Sequence, residues 1–241
     1  MNTLPAITTV PVPTSQPISE PQAREWTSLY WPTIYKRANP YGPHPSIVSH
    51  AIESLVSPGK HLLLAQKLGA ESVASGAGLA FGAVIVDPDS GEVVAAAGDA
   101  RLRCNEKGWG NPLDHAVMIA IDMVAQKRLG RNIDVRPDSK VEVWDGKYSD
   151  PEGKDEGYLC HNLQVYLSHE PCVMCSMALL HSRVGSIVFR RRMLKTGALS
   201  AETGGKELGL FWRPELNWKF LCWQWKDEGG GEGESEEEVD V

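Results

Sequence analysis

The sequence predicts an α/β fold built on a mixed sheet covered by helices on both faces. Three observations carry that reading. Apolar strand-like segments and helical segments follow one another in the order β-β-α-β-α-β, which puts helices between strands. The first two strands flank Asp87-Pro88-Asp89-Ser90-Gly91, a hairpin turn signal. The segment Leu163–Ser168 reads as a strand buried on both sides.

Residues 1–22 carry Pro5, Pro11, Pro13, Pro17 and Pro21 among Thr and Ser, and are expected to be disordered. Residues 23–46 hold Trp26, Tyr30, Trp31, Tyr35 and Tyr41 among prolines, and are expected to form an ordered, non-repetitive arm on the domain. The domain body is expected over 47–226. Within it Leu62, Leu63, Ala65, Gln66 and Leu68 give an apolar face to a helix from His61 to Ala74. Gly76-Ala77-Gly78 lacks the spacing and following helix of a phosphate loop and reads as a turn. It leads into a strand, Leu79–Val86, paired through the hairpin with Val93–Gly98.

Asn111-Pro112 opens the next helix, cap then proline, and Gly130 closes it. Val117, Ile121, Val124 and Ala125 recur there at helical spacing. Residues 145–157 read as a polar loop. Pro171–Ser182 follows as a helix and Gly185–Arg190 as a strand. Trp218, Phe220 and Cys222 alternate with Lys219, Leu221 and Trp223, which predicts a final strand. No internal repeat is present.

The 241 residues suit one globular domain with a sizeable core. The net charge of −7 misleads as an average. Of the 31 acids, eight fall in 227–241, which has no Lys or Arg and reads as a disordered, solubilising acidic tail. The other 23 nearly balance the 24 Lys and Arg, so the body is close to neutral and can still carry a basic face. No basic start with an apolar stretch marks a secretory signal. No run approaches the ~18 apolar residues of a membrane span. Five cysteines, two of them in C-x-x-C, point away from a disulfide framework and toward a reducing compartment. A soluble intracellular protein is expected.

The chemistry is concentrated in two strings. His115-Ala116-Val117 and Pro171-Cys172-Val173-Met174-Cys175 match H-x-E…P-C-x-x-C except at one position. In that signature the His and two Cys hold Zn²⁺, and the Glu carries protons without binding metal. Thiolate and imidazole are a favoured zinc mixture. Cys172 and Cys175, three apart at a helix start, present both sulfurs on one face, and the helix N-terminus favours the thiolate. A redox C-x-x-C with an unrelated histidine is the bland alternative. Val117 occupies the glutamate slot, and an isopropyl group moves no proton. General acid–base catalysis is worth roughly 10²–10⁴-fold, so a metal-holding domain inactive on its own is expected. Glu170 is the nearest acid and reads as a cap or anchor, with a substitute catalyst as its rival role. Cys222 is a conceivable fourth donor or a buried structural cysteine.

These residues carry a resemblance. Trp31-Pro32-Thr33, the run Asn39-Pro40-Tyr41-Gly42-Pro43-His44-Pro45-Ser46, His115-Ala116-Val117 and the string from Glu170 to Arg183 resemble the non-catalytic subunit of the eukaryotic heterodimeric tRNA adenosine deaminase. So does Asn217 to Phe220. The resemblance implies a three-layer α/β/α, cytidine-deaminase-like fold with about five strands. It implies His115, Cys172 and Cys175 as zinc ligands and Val117 at the forfeited proton-shuttle position. It also implies a catalytic partner subunit with an intact H-A-E motif, the pair converting wobble adenosine to inosine in tRNA anticodons. Family members carry a sizeable domain ahead of this fold; here residues 1–46 stand there, so tRNA binding by this chain alone does not follow.

Arg190, Arg191, Arg192 and Lys195 follow a strand and read either as phosphate contacts to tRNA or as a solvated strand end. Trp212, Trp218, Trp223 and Trp225 read as packing, subunit interface or base-stacking residues. Cys104 and Cys160 have no metal spacing. Nucleus and cytoplasm are the expected compartments. Two other functions fit the strings less well: an autonomous nucleoside or nucleotide deaminase with an unusual acid, and a zinc-stapled interaction module.

Overall fold

The structure is a computed structural model that describes residues 9–17, 19–35, 45–104, 110–129, 158–200, 207–213 and 215–226. Its elements run α1 (Glu20–Leu29), α2 (Pro45–Glu53), α3 (Pro58–Ala74), β1 (Gly82–Val86), β2 (Val93–Gly98), α4 (Ala116–Arg128), β3 (Gln164–His169), α5 (Val173–His181), β4 (Ser186–Arg191) and β5 (Leu221–Gln224). The strands form one sheet in the order β2-β1-β3-β4-β5. β1 runs antiparallel to β2 and β3, while β3, β4 and β5 are parallel. The sheet is mixed, as expected, because a tight turn joins β1 to β2 and helix α5 carries the chain from β3 to its parallel neighbour β4.

Side chains alternate between two cores, the period-2 consequence of a pleated sheet. Ala83, Ile85, Val165, Leu167, Ile187 and Phe189 face α4 and α5. Val84, Val86, Ala96, Tyr166 and Val188 face Leu62, Ala65 and Leu68 of α3. β1 is buried at every position, so its sequence is uniformly apolar. Each such fully buried Val, Leu or Ile contributes about 1.5–3 kcal/mol. α3 lies close on the hairpin because glycines face it. A Cβ at Gly82 would strike the Ala65 carbonyl, and one at Gly98 the Ser72 hydroxyl. On that side Gln164 bonds the Val56 amide at 2.9 Å, the Ser54 carbonyl at 2.8 Å and the Tyr166 hydroxyl at 2.7 Å.

Several boundaries differ from expectation for physical reasons. Pro21 does not break structure: it lies in the first turn of α1, where the missing N–H is harmless, and Ser19 caps that helix. Regular structure therefore crosses the expected 22/23 border, and the expected irregular arm contains most of α1 and the start of α2. Ser57-Pro58 starts α3 three residues before His61. The strand expected from Leu79 begins at Gly82, and the strand expected around Trp218 begins at Leu221. Gly130, the loop 145–157 and the tail 227–241 lie outside the described residues.

Candidate metal centre

α4 does not start at Asn111-Pro112. Those residues form a turn: Asn111 Oδ1 accepts the Leu113 amide at 3.1 Å, and its Nδ2 donates to Asp114 Oδ1 at 2.7 Å. The Ala100 amide bonds the Asp114 carbonyl at 2.9 Å, fixing the turn beside the end of β2. The consequence is that His115 itself is the N-cap of α4, in extended conformation. Cys172 is likewise the extended N-cap of α5, delivered by β3. Two helix N-termini thus meet with a ligand type at each, and Cys175 follows one turn into α5.

The three donors gather. His115 Nδ1 lies 3.4 Å from Cys175 Sγ and 3.8 Å from Cys172 Sγ. All three ligand atoms fall within 4.8 Å of one another, and among the described residues this is the group of such donors with metal-binding spacing. A hydrogen bond from Cys175 holds the Cys172 thiol down at about 4, against burial and with further help from His115. The Cys175 thiol is pushed up by that same bond and by burial beside the first thiolate. His115 with the Cys172 and Cys175 sulfurs, bound as thiolates, would hold a cation here. The donor chemistry fits zinc.

These residues line a cleft together with Val117, Phe81, Asp99, Arg101, His169, Glu170, Met193 and Thr196. Val117 is buried and sits two positions after His115, in the slot the motif assigns to a carboxylate. Two carboxylates line the cleft, and both are engaged. Asp99, fully buried, accepts Arg101 Nε at 2.9 Å and the Leu79 amide at 3.2 Å. Glu170 accepts the amides of Met193 at 3.1 Å, Leu199 at 3.0 Å and Ser200 at 2.7 Å. It anchors the strap 193–200, whose Gly197 bridges Cys172 and leaves no room for a Cβ beside the Glu170 carboxylate. Of its two proposed roles, Glu170 fits the anchor.

Sequence reasoning missed Asp99, Arg101, Phe81 and His169, which belong to no motif. The Arg101 guanidinium lies 5.5 Å over the Phe81 ring, which also takes His169 edge-on at 4.9 Å. Burial, then the charge of Arg191, pushes His169 down to about 4, so its imidazole is neutral. Cys222 stands outside the donor group; burial, then the Glu170 charge, pushes its thiol up, which suits a structural cysteine. Cys160 is buried and pushed up to about 11 by that burial. Arg190, Arg191, Arg192 and Lys195 are not among the residues lining the cleft. Arg190 is hydrogen-bonded to Gln66, Arg191 pairs in register with His169 at the strand end, and Lys195 is exposed on the strap.

A mixed five-stranded sheet that carries a His and a Cys-x-x-Cys on two converging helix N-termini defines a zinc-deaminase type of domain. Residues 58–191 match the family model described as the cytidine and deoxycytidylate deaminase zinc-binding region, and the chain belongs to that family. The chain is 31% identical over 88% of its length to the tRNA-specific adenosine deaminase subunit tad3 of Schizosaccharomyces pombe, covering 57% of that protein. It is 30% identical over 95% of its length to the subunit TAD3 of Saccharomyces cerevisiae, covering 63% of it. It is also 30% identical over 88% of its length to a Homo sapiens protein named "Probable inactive tRNA-specific adenosine deaminase-like protein 3", covering 59% of it. The chain therefore spans less than two thirds of each of these relatives.

Proposed function

We propose that this chain is the structural, non-catalytic subunit of a heterodimeric tRNA adenosine deaminase that converts wobble adenosine to inosine. One observation carries the reading: a complete His–Cys–Cys donor set beside Val117, in a cleft whose two carboxylates are both bound to other groups. His115, Cys172 and Cys175 hold Zn²⁺, and the ion ties the starts of α4 and α5 together. In an active relative of this fold the bound ion activates water for attack on the base. Here His115 and the cysteines would position the ion, and among the described residues both cleft carboxylates are engaged elsewhere rather than placed to carry the protons. The partner, with an intact H-A-E, performs the reaction.

Names of relatives that specify tRNA and subunit status support the substrate and the pairing. Arg191 and Lys195, exposed at and just after the end of β4, suit phosphate contact, and half-buried Arg192 lies between them in sequence. Arg190, engaged with Gln66, contributes less. The zinc-binding body is assigned residues 47–226, with 23–46 as its arm, and the acidic segment 227–241 follows it in sequence. Among the described residues no helix is long and apolar enough to cross a membrane. Residence in nucleus and cytoplasm, where tRNA is processed and used, goes with this role.

The test is co-expression with a glutamate-bearing deaminase subunit and scoring of inosine in total tRNA. The pair is expected to form inosine and each chain alone to form none. Inosine formation by the partner alone at the rate of the pair would overturn the proposal.

A further inference from the structure

The three metal donors are held in place by different means. Cys175 lies in the first turn of α5, where the helix fixes its backbone. His115 follows the Asn111–Asp114 turn, which is tied to Ala100 beside the end of β2. Cys172 stands at the edge of α5 in extended conformation, and only its carbonyl enters the helix, through the Ser176 amide at 2.8 Å. Its other neighbour is the strap 193–200. Gly197 forms an antiparallel bridge with Cys172, and the Ala198 amide donates to the Pro171 carbonyl at 3.1 Å. The strap is itself a turn, closed by the Gly197 amide on the Met193 carbonyl at 2.7 Å. Where Cys172 stands therefore depends on where this turn stands.

Glu170 pins the turn at both ends. Its Oε2 accepts the Met193 amide at the start, and its Oε1 accepts the Leu199 and Ser200 amides at the finish. The middle of the turn is left to meet Cys172. Gly197 makes the fit possible, since a Cβ there would lie 2.4 Å from Glu170 Oε2. Taking a carboxylate out of water is costly unless hydrogen bonds replace the solvent, and here three amides converge to do so. We propose that Glu170 is a positioning residue for the metal cup: by clasping the strap it sets where Cys172 stands relative to Cys175 and His115. It thereby sets the affinity and the donor geometry of the bound ion. Groups that orient metal ligands without touching the metal are worth about 10–100-fold in metal affinity. The inference rests on the zinc reading of the three donors and not on the tRNA reading.

The test uses the full chain. Zinc affinity is measured by competition with a chromophoric chelator, and the absorption spectrum of the cobalt-loaded chain reports donor geometry. Both are read at a temperature where circular dichroism shows each variant folded. Glu170→Ala is expected to weaken zinc binding by about 10–100-fold and Glu170→Gln by less, each with altered cobalt bands. Gly197→Ala, which sets a methyl against the Glu170 carboxylate from the strap side, is expected to act alike. Should Glu170→Ala fail to fold, the other two variants carry the comparison. Gln164→Ala is the control: it breaks bonds to Val56 and Ser54 on the α3 side and is expected to lower the urea midpoint without changing zinc affinity. Zinc in excess keeps the cup filled in every variant, so inosine formation is not the readout. Glu170 and Gly197 variants that lose stability yet bind zinc like the parent, with an unchanged cobalt spectrum, would overturn the inference. So would an equal loss of zinc affinity in Gln164→Ala, because affinity would then only follow global stability. A parent chain that takes up no zinc would sink the metal reading itself, and this inference with it.

Discussion

The Glu170 carboxylate accepts the backbone amide of Ser200 at 2.7 Å, and this bond bears on what the acid two residues before Cys172 does. With the Met193 and Leu199 amides on it as well, Glu170 is 4% exposed and accepts three backbone amides. It holds the strap against α5.

Glu170→Ala is therefore expected to destabilise the fold by roughly 3–5 kcal/mol, since three buried amides lose an ionised acceptor. Glu170→Gln, which keeps one acceptor oxygen, recovers part of that. Urea unfolding midpoints measure both, and inosine formation per folded pair is expected to stay unchanged.

Cys175→Ser and Cys172→Ser each remove one of three donors that lie within 4.8 Å. Each variant is expected to lose its zinc and with it roughly 4 kcal/mol or more of stability. For a chain of this length the midpoint of thermal unfolding then falls by about 10 °C. Chelation of the parent protein should reproduce the shift, and metal analysis with calorimetry reads it.

Acid should weaken the fold through two histidines held down as neutral rings. His61, 2% exposed, is lowered by burial and then by Lys60; His169 is lowered to about 4 by burial and then by Arg191. The unfolded chain takes up protons near the ordinary 6.5 while the folded one does not. Their stabilisation is complete above that value and is lost as pH falls through the window toward 4. Stability measured between pH 7 and 4 should drop along this course, and His61→Gln should flatten part of it.

The sequence was most legible where one residue type has one use. The C-x-x-C spacing and His115 pointed to three side chains whose donor atoms the fold brings within 4.8 Å of one another, because thiolate and imidazole at that spacing serve few other ends. Gly98 and Gly82 carried no such message, since their role depends on α3 lying against them. Asn111-Pro112 was misplaced as a helix cap because the same dipeptide also builds a turn, and Ala100 selects the turn. Pro21 looked like a breaker until its position in the first turn of α1 was seen. The Asp99–Arg101 pair could not be read at all, because it enters the cleft only through the β2 exit packing on Phe81.

The claim that this chain holds an ion without a proton carrier meets its most direct test in the purified single chain. Zinc content and ammonia release from adenosine-containing tRNA, cytidine and deoxycytidylate are measured on the same sample. The account predicts about one zinc per chain and no ammonia above background. Steady ammonia release by the zinc-loaded chain, with no partner present, would contradict it.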